Sequence, residues 1–135
     1  MRRIYVDSSY WIALINRNDQ FHEKASEINK SMDDYYLFST EEVLIEFLNF
    51  FSEKGAHSRS VAFKYVIYIL SKPRIQILEQ SHTSFAAGLN LYFNRKDKDY
   101  SMVDCISMET MRRQNVDEIL TWDKHFSQEG FKILL

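Results

Sequence analysis

Near its amino terminus the chain reads Arg3-Ile4-Tyr5-Val6-Asp7-Ser8-Ser9-Tyr10-Trp11, a short apolar run that stops at an aspartate followed by two serines. The residues Ile4, Tyr5 and Val6 favour extended backbone, whereas Asp7 and the serines after it are good helix N-caps. The chain is therefore expected to pass directly from a strand into a helix. In open α/β folds, ligands bind at the carboxyl ends of the strands, and this junction puts Asp7 at such an end.

Length and composition predict one domain with a single ordinary core. The chain has 135 residues, of which 45% are hydrophobic, and no repeat or composition shift divides residues 1–135. The amino terminus lacks a signal-peptide pattern, and no apolar run approaches the roughly 20 residues that a membrane helix needs. We therefore expect a soluble, cytoplasmic protein with no membrane contact.

Charge and cysteine content narrow the possible partners and sites. The only cysteine, Cys105, has no partner for an internal disulfide, and no group of Cys and His has the spacing of a zinc site. A formal charge of −2 gives no general attraction to nucleic acid. Any polyanion would have to be held by a local basic patch or through metal ions.

The rest of the chain alternates between predicted strands and predicted helices. Further strands are expected at residues 35–38, 74–78, 118–121 and 131–135. Helices are expected after Asp7, over residues 21–32, from about 40 to Gly55, from about 58 to Pro73, and over 81–94, 102–113 and 123–128. Strands separated by helices predict right-handed crossovers and a parallel sheet covered on both faces.

Two of these helices carry local signals. Ser39 with Glu42 three residues later resembles a capping box at the start of the third helix. In the 81–94 segment, Phe85, Leu89 and Tyr92 fall on one side of a helix, although a glycine in the same segment weakens the prediction.

Four acidic residues stand out by their positions. Asp7 and Asp123 follow the first and fourth strands, so both are expected at the same edge of a parallel sheet. Asp104 lies in the first turn of a helix, where an acid ordinarily serves as a cap or complements the helix dipole. Glu46 lies inside the most apolar helix, with no Lys or Arg at helical spacing on its amino-terminal side. A buried carboxylate of this kind needs a partner.

Carboxylates that converge repel one another unless protons or cations neutralise them. Hard divalent cations bound by oxygen ligands do this, and Mg²⁺ typically accepts one or two carboxylates directly while it keeps several waters.

Four motifs together resemble the PIN-domain family, whose members are metal-dependent ribonucleases found as toxins in many bacterial toxin–antitoxin pairs. The motifs are Val6-Asp7-Ser8-Ser9, Val43-Leu44-Ile45-Glu46, Asp99-Tyr100-Ser101-Met102-Val103-Asp104-Cys105-Ile106-Ser107 and Leu120-Thr121-Trp122-Asp123-Lys124-His125-Phe126. Each is weak alone, but the four stand in the family's order and spacing over essentially the whole chain. The resemblance implies a three-layer α/β/α fold with a parallel five-stranded sheet.

The resemblance also implies a site and its chemistry. The family's acidic quartet carries over to Asp7, Glu46, Asp104 and Asp123, which would bind Mg²⁺ or Mn²⁺ and hydrolyse RNA phosphodiesters. It further implies a homodimer, and an antitoxin protein as partner if the chain is a toxin. Whether one or two ions act is left open.

Two features depart from the family pattern. Trp122 is bulkier than the small or polar residue expected before the last acid. The charged 95–99 loop adds Asp97 and Asp99 beside the quartet, and both are expected to be solvated, although Asp99 is also a candidate for the metal site.

Several other side chains are candidates for supporting roles. Thr121, Ser8 and Ser101 are possible hydrogen-bond partners of the acids, and strand-end and capping roles also explain them. His125 is the obvious general base, but a structural role at the start of a short helix is the better interpretation.

Contacts to RNA have two kinds of candidates. Exposed aromatics near the acids, namely Tyr10, Trp11 and Trp122, would stack bases, although a core role is the commoner one. Phosphate contacts are possible from Arg2, Arg3, Lys54, Arg59, Lys64, Arg112 and Arg113.

Two other functions remain open at this stage. One is a PIN-fold module that binds RNA or protein without cleavage, against which the presence of all four acids argues. The other is a phosphatase-type hydrolase. An aspartyl phosphatase usually has a second aspartate two residues after the first, where this chain has Ser9, and the three glycines form no phosphate-binding loop.

Overall fold

A parallel sheet of five strands forms the centre of the computed structural model, which describes residues Met1–Leu135. The strands are β1 (Arg2–Val6), β2 (Tyr35–Thr40), β3 (Ile75–Leu78), β4 (Glu118–Leu120) and β5 (Lys132–Ile133). Their order across the sheet is β3-β2-β1-β4-β5, and every pairing is parallel. The predicted α/β fold with a parallel five-stranded sheet is confirmed.

Helices connect the strands and cover the sheet. They are α1 (Ser8–Ile15), α2 (His22–Ser31), α3 (Glu41–Phe51), α4 (Ala56–Ser71), α5 (His82–Asn94), α6 (Met102–Gln114) and α7 (His125–Gln128). The sheet and the helices that flank it form the expected three-layer α/β/α arrangement. None of the helices combines the length and the hydropathy that crossing a bilayer requires.

The central position of β1 explains its apolar sequence. It pairs with β2 on one side and β4 on the other, and Ile4, Tyr5 and Val6 are almost completely buried. Strands of a parallel sheet that are covered on both faces typically read as continuous apolar runs. The backbone N–H of Asp7 donates to the carbonyl of Leu120 at 3.1 Å. The carboxyl ends of β1 and β4 therefore lie side by side.

The boundary between β2 and α3 differs from the sequence prediction. Thr40, not Ser39, is the N-cap of α3, and its hydroxyl oxygen accepts from the N–H of Val43 at 3.3 Å. Ser39 stays in the strand, where its hydroxyl donates to the carbonyl of Val6 at 2.8 Å. The predicted capping box with Glu42 is thus wrong, because the Ser39 hydroxyl joins β2 to β1.

The last strand is also shorter than predicted. Phe131 belongs to the turn after α7, where its N–H donates to the carbonyl of Phe126 at 3.1 Å. Only Lys132–Ile133 pairs with β4.

The apolar side of α5 faces solvent. The predicted stripe of Phe85, Leu89 and Tyr92 is about half exposed, at 48%, 50% and 53%. The buried side of the helix instead carries Gly88, on which a Cβ atom would lie 2.5 Å from the Cγ1 atom of Ile106 in α6. The small glycine therefore allows α5 to pack closely on α6 with the stripe outside.

Candidate metal centre

Asp7 is positioned by the junction of β1 and α1. It is the N-cap residue of α1, but its side chain makes no capping bond to the helix. Its Oδ2 atom accepts hydrogen bonds from the hydroxyls of Thr121 at 2.8 Å and Ser9 at 3.0 Å. The side chain is buried. Burial raises the pKa of Asp7 above its ordinary value, and the two hydroxyls act in the opposite direction.

Asp123 reaches the same place from the end of β4. The hydroxyl oxygen of Thr121 accepts from the backbone N–H of Asp123 at 3.0 Å while the hydroxyl donates to Asp7. The Asp123 carboxylate accepts from the backbone N–H of His125 at 2.9 Å, which turns the chain into α7. The negative charge of Asp123 is one of the causes that raise the pKa of Asp7. The sheet edge therefore brings these two acids together, as predicted.

Asp104 enters from the first turn of α6. Ser101 and Asp104 form a capping box: the N–H of Asp104 donates to Ser101 Oγ at 3.0 Å, and Asp104 Oδ2 accepts from the N–H of Ser101 at 3.2 Å. The carboxylate is buried. Burial, followed by the charges of Asp7 and Asp123, raises the pKa of Asp104 to about 6. Capping does not occupy both oxygens, so Asp104 also retains an oxygen that can bind a cation.

Glu46 completes the group from α3. It is half-buried rather than fully buried, and its carboxylate accepts a hydrogen bond from the hydroxyl of Ser8. The partner that the sequence did not identify is thus a hydroxyl at the start of α1. Burial is the largest cause that raises the pKa of Glu46, and the charges of Asp7, Asp104 and Asp123 add to it.

The four acids form a concentration of negative charge with no basic partner. No Lys or Arg makes an ion pair with any of them. Hydroxyl and backbone N–H groups supply all their hydrogen bonds. Uncompensated carboxylates of this kind are costly unless a proton or a cation neutralises them. The arrangement therefore has the charge and the oxygen donors of a divalent metal site.

His125 also lies at this site, although the sequence favoured a structural role for it over that of a general base. Its Nδ1 atom is 3.3 Å from Asp123 Oδ1 and 3.8 Å from Asp104 Oδ2. One donor atom from each of Asp104, Asp123 and His125 lies within 4.8 Å of the others. The Nδ1 atom is buried and makes no hydrogen bond.

The extra acids of the 95–99 loop stay outside the group. Asp97 and Asp99 are both exposed, and Asp97 lies 3.8 Å from the ammonium of Lys98. The expectation that both are solvated is confirmed.

The aromatic residues near the acids do not present free faces. Tyr10 and Trp11 are each only 1% exposed, so the idea that they stack bases is wrong. Trp122 is half-buried and stacks on Phe21, with ring centroids 4.0 Å apart and an interplanar angle of 14°. The bulky residue before Asp123 is thus explained by packing against the 21–22 turn.

Three of the predicted phosphate-binding arginines are already engaged. Arg2 forms a bidentate ion pair with Glu118, at the opposite end of β1 from Asp7. Arg3 donates to the carbonyl of Gln114 at 2.7 Å. Arg112 binds Glu129 at 2.7 Å. These contacts engage the three guanidinium groups within the protein, and phosphate contacts from the candidate residues stay a prediction.

Comparison with known proteins now decides the family. The model of the PIN domain matches residues 4–132. The chain belongs to the PIN domain family. The four acids that the resemblance implied lie near one another in this PIN domain, although their role as metal ligands stays a prediction.

Relatives share both sequence and fold with this PIN domain. The 23S rRNA-specific endonuclease VapC20 of Mycobacterium tuberculosis is 27% identical over 128 residues, which cover 95% of each chain. The crystal structure of VapC20, described as a Sarcin-Ricin loop cleaving toxin, superposes with a TM-score of 0.83 at 22% identity over 95% of each chain.

Two further solved structures have the same fold at lower identity. FitAcB from Neisseria gonorrhoeae gives a TM-score of 0.70 at 16% identity, over 98% of this chain and 96% of that one. VapBC2 from Rickettsia felis, bound to a DNA fragment from its promoter, gives a TM-score of 0.65 at 13% identity, over 97% of this chain and 96% of that one. These likenesses show the PIN fold, not a shared partner.

Proposed function

We propose that this protein is a metal-dependent endoribonuclease whose site is built from Asp7, Glu46, Asp104 and Asp123. The observation that carries the proposal is the meeting of four carboxylates, from four separate segments, at the carboxyl edge of the sheet with no Lys or Arg among them. Membership of the PIN domain family and the likeness to VapC20 support the same function.

The donor set fits a divalent cation. Carboxylate oxygens suit Mg²⁺ and Mn²⁺, and a bound cation would also offset the burial and the mutual repulsion that together raise the pKa values of Asp7, Glu46 and Asp104. When bound, such a cation supplies an activated water and stabilises the charge that develops on a phosphodiester during hydrolysis.

The four acids have separate roles in binding the cation and in positioning water. Asp7, Asp104 and Asp123 hold the cation, and Glu46 completes the site or orients the attacking water. Thr121 fixes Asp7 and Asp123 through one hydroxyl, while Ser8 fixes Glu46. Hydrogen bonds of this kind set the orientation of ligands before the cation binds.

RNA is the substrate class we propose. The name of VapC20 assigns it to 23S rRNA, and its structure is described as that of a toxin that cleaves the Sarcin-Ricin loop. A structured ribosomal RNA segment is therefore the first substrate to test, beside single-stranded RNA. An enzyme with this substrate would act in the cytoplasm.

Exposed apolar helices favour protein partners, which we propose to be a second copy and an antitoxin. Phe63, Ile67 and Leu70 of α4 are 60%, 50% and 56% exposed. Phe47 of the neighbouring helix α3 is instead fully buried and packs inside the domain. Apolar residues exposed in this number are typical of interfaces. Light scattering at micromolar concentration is expected to give the mass of a dimer, and a monomer mass would count against it.

The proposed activity is tested with a panel of substrates and cations. Purified protein is incubated with a fluorogenic single-stranded RNA, a Sarcin-Ricin loop RNA and a phosphate monoester, each with Mg²⁺, Mn²⁺ or EDTA. We expect cleavage of RNA with a divalent cation, none in EDTA and none of the monoester. Asp123→Asn is expected to abolish cleavage, whereas the matched control Asp97→Asn, which changes an exposed acid, retains it.

Other outcomes would replace the proposal. Hydrolysis of the monoester alone would make the protein a phosphatase-type hydrolase. Binding of RNA without cleavage under every cation would make it a catalytically inactive PIN module.

A further inference from the structure

We infer that His125 supplies a nitrogen ligand to the cation, and that this ligand makes the site prefer Mn²⁺ over Mg²⁺. The inference rests on the proposed function, because it concerns the same metal site, but it adds a ligand outside the acidic quartet and a choice between two cations.

The first observation is the position of an unused nitrogen. His125 Nδ1 faces two acids of the quartet, at 3.3 Å from Asp123 Oδ1 and 3.8 Å from Asp104 Oδ2, and is buried without a hydrogen bond. A buried polar atom without a partner is rare and calls for an explanation. A cation between the three side chains would satisfy it.

The separations fit ligands that share one ion. In octahedral coordination with bonds of about 2.1 Å, neighbouring ligand atoms lie about 3.0 Å apart and opposite ones about 4.2 Å apart. The donor atoms of Asp104, Asp123 and His125 already lie within 4.8 Å of one another. Only a small contraction is needed to close this group on a cation.

The imidazole ring is held in this orientation by buried neighbours. The backbone N–H of His125 is anchored on Asp123, and its ring packs against Tyr100, with centroids 5.3 Å apart. Tyr100 is buried, and its hydroxyl donates to Glu129 at 2.9 Å. Glu129 is held in turn by Arg95 at 2.8 Å. The ring is therefore preorganised, unlike that of a free surface histidine.

The chemistry of the donor atom determines the choice of cation. Mg²⁺ binds oxygen ligands and keeps its waters, whereas imidazole nitrogen suits first-row transition metals. Adding a nitrogen to a set of carboxylates therefore stabilises the Mn²⁺ complex more than the Mg²⁺ complex. Removing it is expected to weaken Mn²⁺ binding and to leave Mg²⁺ binding almost unchanged.

The test measures binding directly, without an activity assay. Protein without a polyhistidine tag is loaded with Mn²⁺, and electron spin echo spectroscopy records whether nitrogen nuclei couple to the ion. Calorimetry then gives the Mn²⁺ and Mg²⁺ affinities. Three variants accompany the wild type: His125→Ala, His125→Asn, and His57→Ala, which removes an exposed histidine of α4 as a matched control.

We expect nitrogen coupling in the wild type and in His57→Ala, and none in His125→Ala. The Mn²⁺ affinity of His125→Ala should fall roughly tenfold or more, since even outer-shell substitutions at metal sites cost about 10–100-fold. His125→Asn places an amide oxygen near the position of Nδ1. It should lose the nitrogen coupling and shift the ratio of affinities toward Mg²⁺. This second variant keeps the test decisive if the alanine variant does not fold.

The remaining outcomes separate this inference from the proposed function. If the wild type binds Mn²⁺ and cleaves RNA but shows no nitrogen coupling, His125 is not a ligand and the proposed function stands. If the wild type binds no divalent cation and cleaves no RNA, the proposed function fails and this inference fails with it.

Discussion

The hydroxyl of Thr121 donates a 2.8 Å hydrogen bond to the carboxylate of Asp7 and so joins the ends of β4 and β1. The same oxygen accepts the backbone N–H of Asp123 at 3.0 Å. Thr121 is completely buried. One hydroxyl thus orients two acids of the candidate site, and both depend on it for their positions.

Replacing Thr121 with the isosteric valine removes these two hydrogen bonds of its hydroxyl while it keeps the packing of the side chain. In Thr121→Val, Asp7 loses a donor and the N–H of Asp123 loses an acceptor, at a cost of about 1–3 kcal/mol for buried groups left unsatisfied. We expect Mn²⁺ affinity to fall by about 10–100-fold. Calorimetric titration gives the affinity, and urea unfolding in EDTA gives the stability. Thr121→Ser, which keeps the hydroxyl, is the control, and equal affinities in the three proteins would contradict the positioning role.

Glu46→Gln should separate function from stability. Glutamine keeps an oxygen that can accept from Ser8 but removes a charge whose repulsion opposes folding. We predict loss of cleavage, a Tm in EDTA equal to or above that of the wild type, and a smaller rise in Tm on addition of Mn²⁺. Glu42→Gln removes a charge one turn earlier in α3 and serves as the control. A clear drop of Tm in EDTA with cleavage retained would remove Glu46 from the site.

The raised pKa values predict an unusual pH dependence for the metal-free protein. Asp104 titrates near pH 6 in the folded protein, against an ordinary value of 3.8. Its contribution to stability is therefore fully present below about pH 4 and is lost as pH rises through 6. Asp7 and Glu46 shift in the same direction.

Glu129 has the opposite effect on the pH dependence of stability, but at lower pH. Arg95, Arg112 and Tyr100 hydrogen-bond its carboxylate and lower its pKa to about 2, against the effect of burial. The stability that Glu129 contributes is present above its ordinary pKa of 4.5 and is lost only at lower pH. Between about pH 5 and 7, the site acids therefore determine how the free energy of unfolding changes with pH.

In EDTA, the free energy of unfolding should accordingly fall between about pH 5 and 7, with about 1 kcal/mol of the fall from Asp104 alone. Saturating Mn²⁺ should reverse the slope, because the cation binds the deprotonated acids. Urea unfolding at several pH values, with and without Mn²⁺, measures both slopes. Stability in EDTA that rises through this window would contradict the raised pKa values of the site acids.

Gly88 should be intolerant of even one added methyl group. Alanine would gain about 1 kcal/mol of helix propensity, but its Cβ would lie 2.5 Å from Ile106 Cγ1 and 3.1 Å from the Ile106 backbone. Overpacking of this kind typically costs about 1–3 kcal/mol, so we expect Gly88→Ala to be destabilised. A double-mutant cycle with Ile106→Ala checks the cause by urea unfolding. Additive effects would show that the contact between α5 and α6 is not responsible.

Strand topology alone predicted the positions of only two of the four acids. Asp7 and Asp123 follow strands, and parallel strands end at one edge, so elementary topology predicted their proximity. Glu46 and Asp104 have ordinary explanations as residues of helices, and only the resemblance to a family linked them to the edge. In the folded chain, burial raises the pKa of Glu46, and the negative charges of Asp7, Asp104 and Asp123 add to this effect.

Side-chain exposure was harder to predict. A periodic apolar stripe such as Phe85, Leu89 and Tyr92 indicates a helix, but not whether the surface that covers it lies within the domain. Here Gly88 determined which face packs on α6. The orientation of His125 likewise depends on Tyr100, whose ring packs against it only in the folded chain.

If the converging carboxylates bind a cation for RNA cleavage, Asp104→Asn should remove that cleavage without harming the fold. Asparagine keeps an oxygen for the N–H of Ser101, so the cap of α6 and the fold should survive. The decisive measurement is the rate of RNA cleavage with saturating Mn²⁺, on protein shown by urea unfolding in EDTA to be as stable as the wild type or more so. We expect no detectable cleavage by this folded variant, and cleavage at the wild-type rate would show that the carboxylates do not bind the catalytic cation.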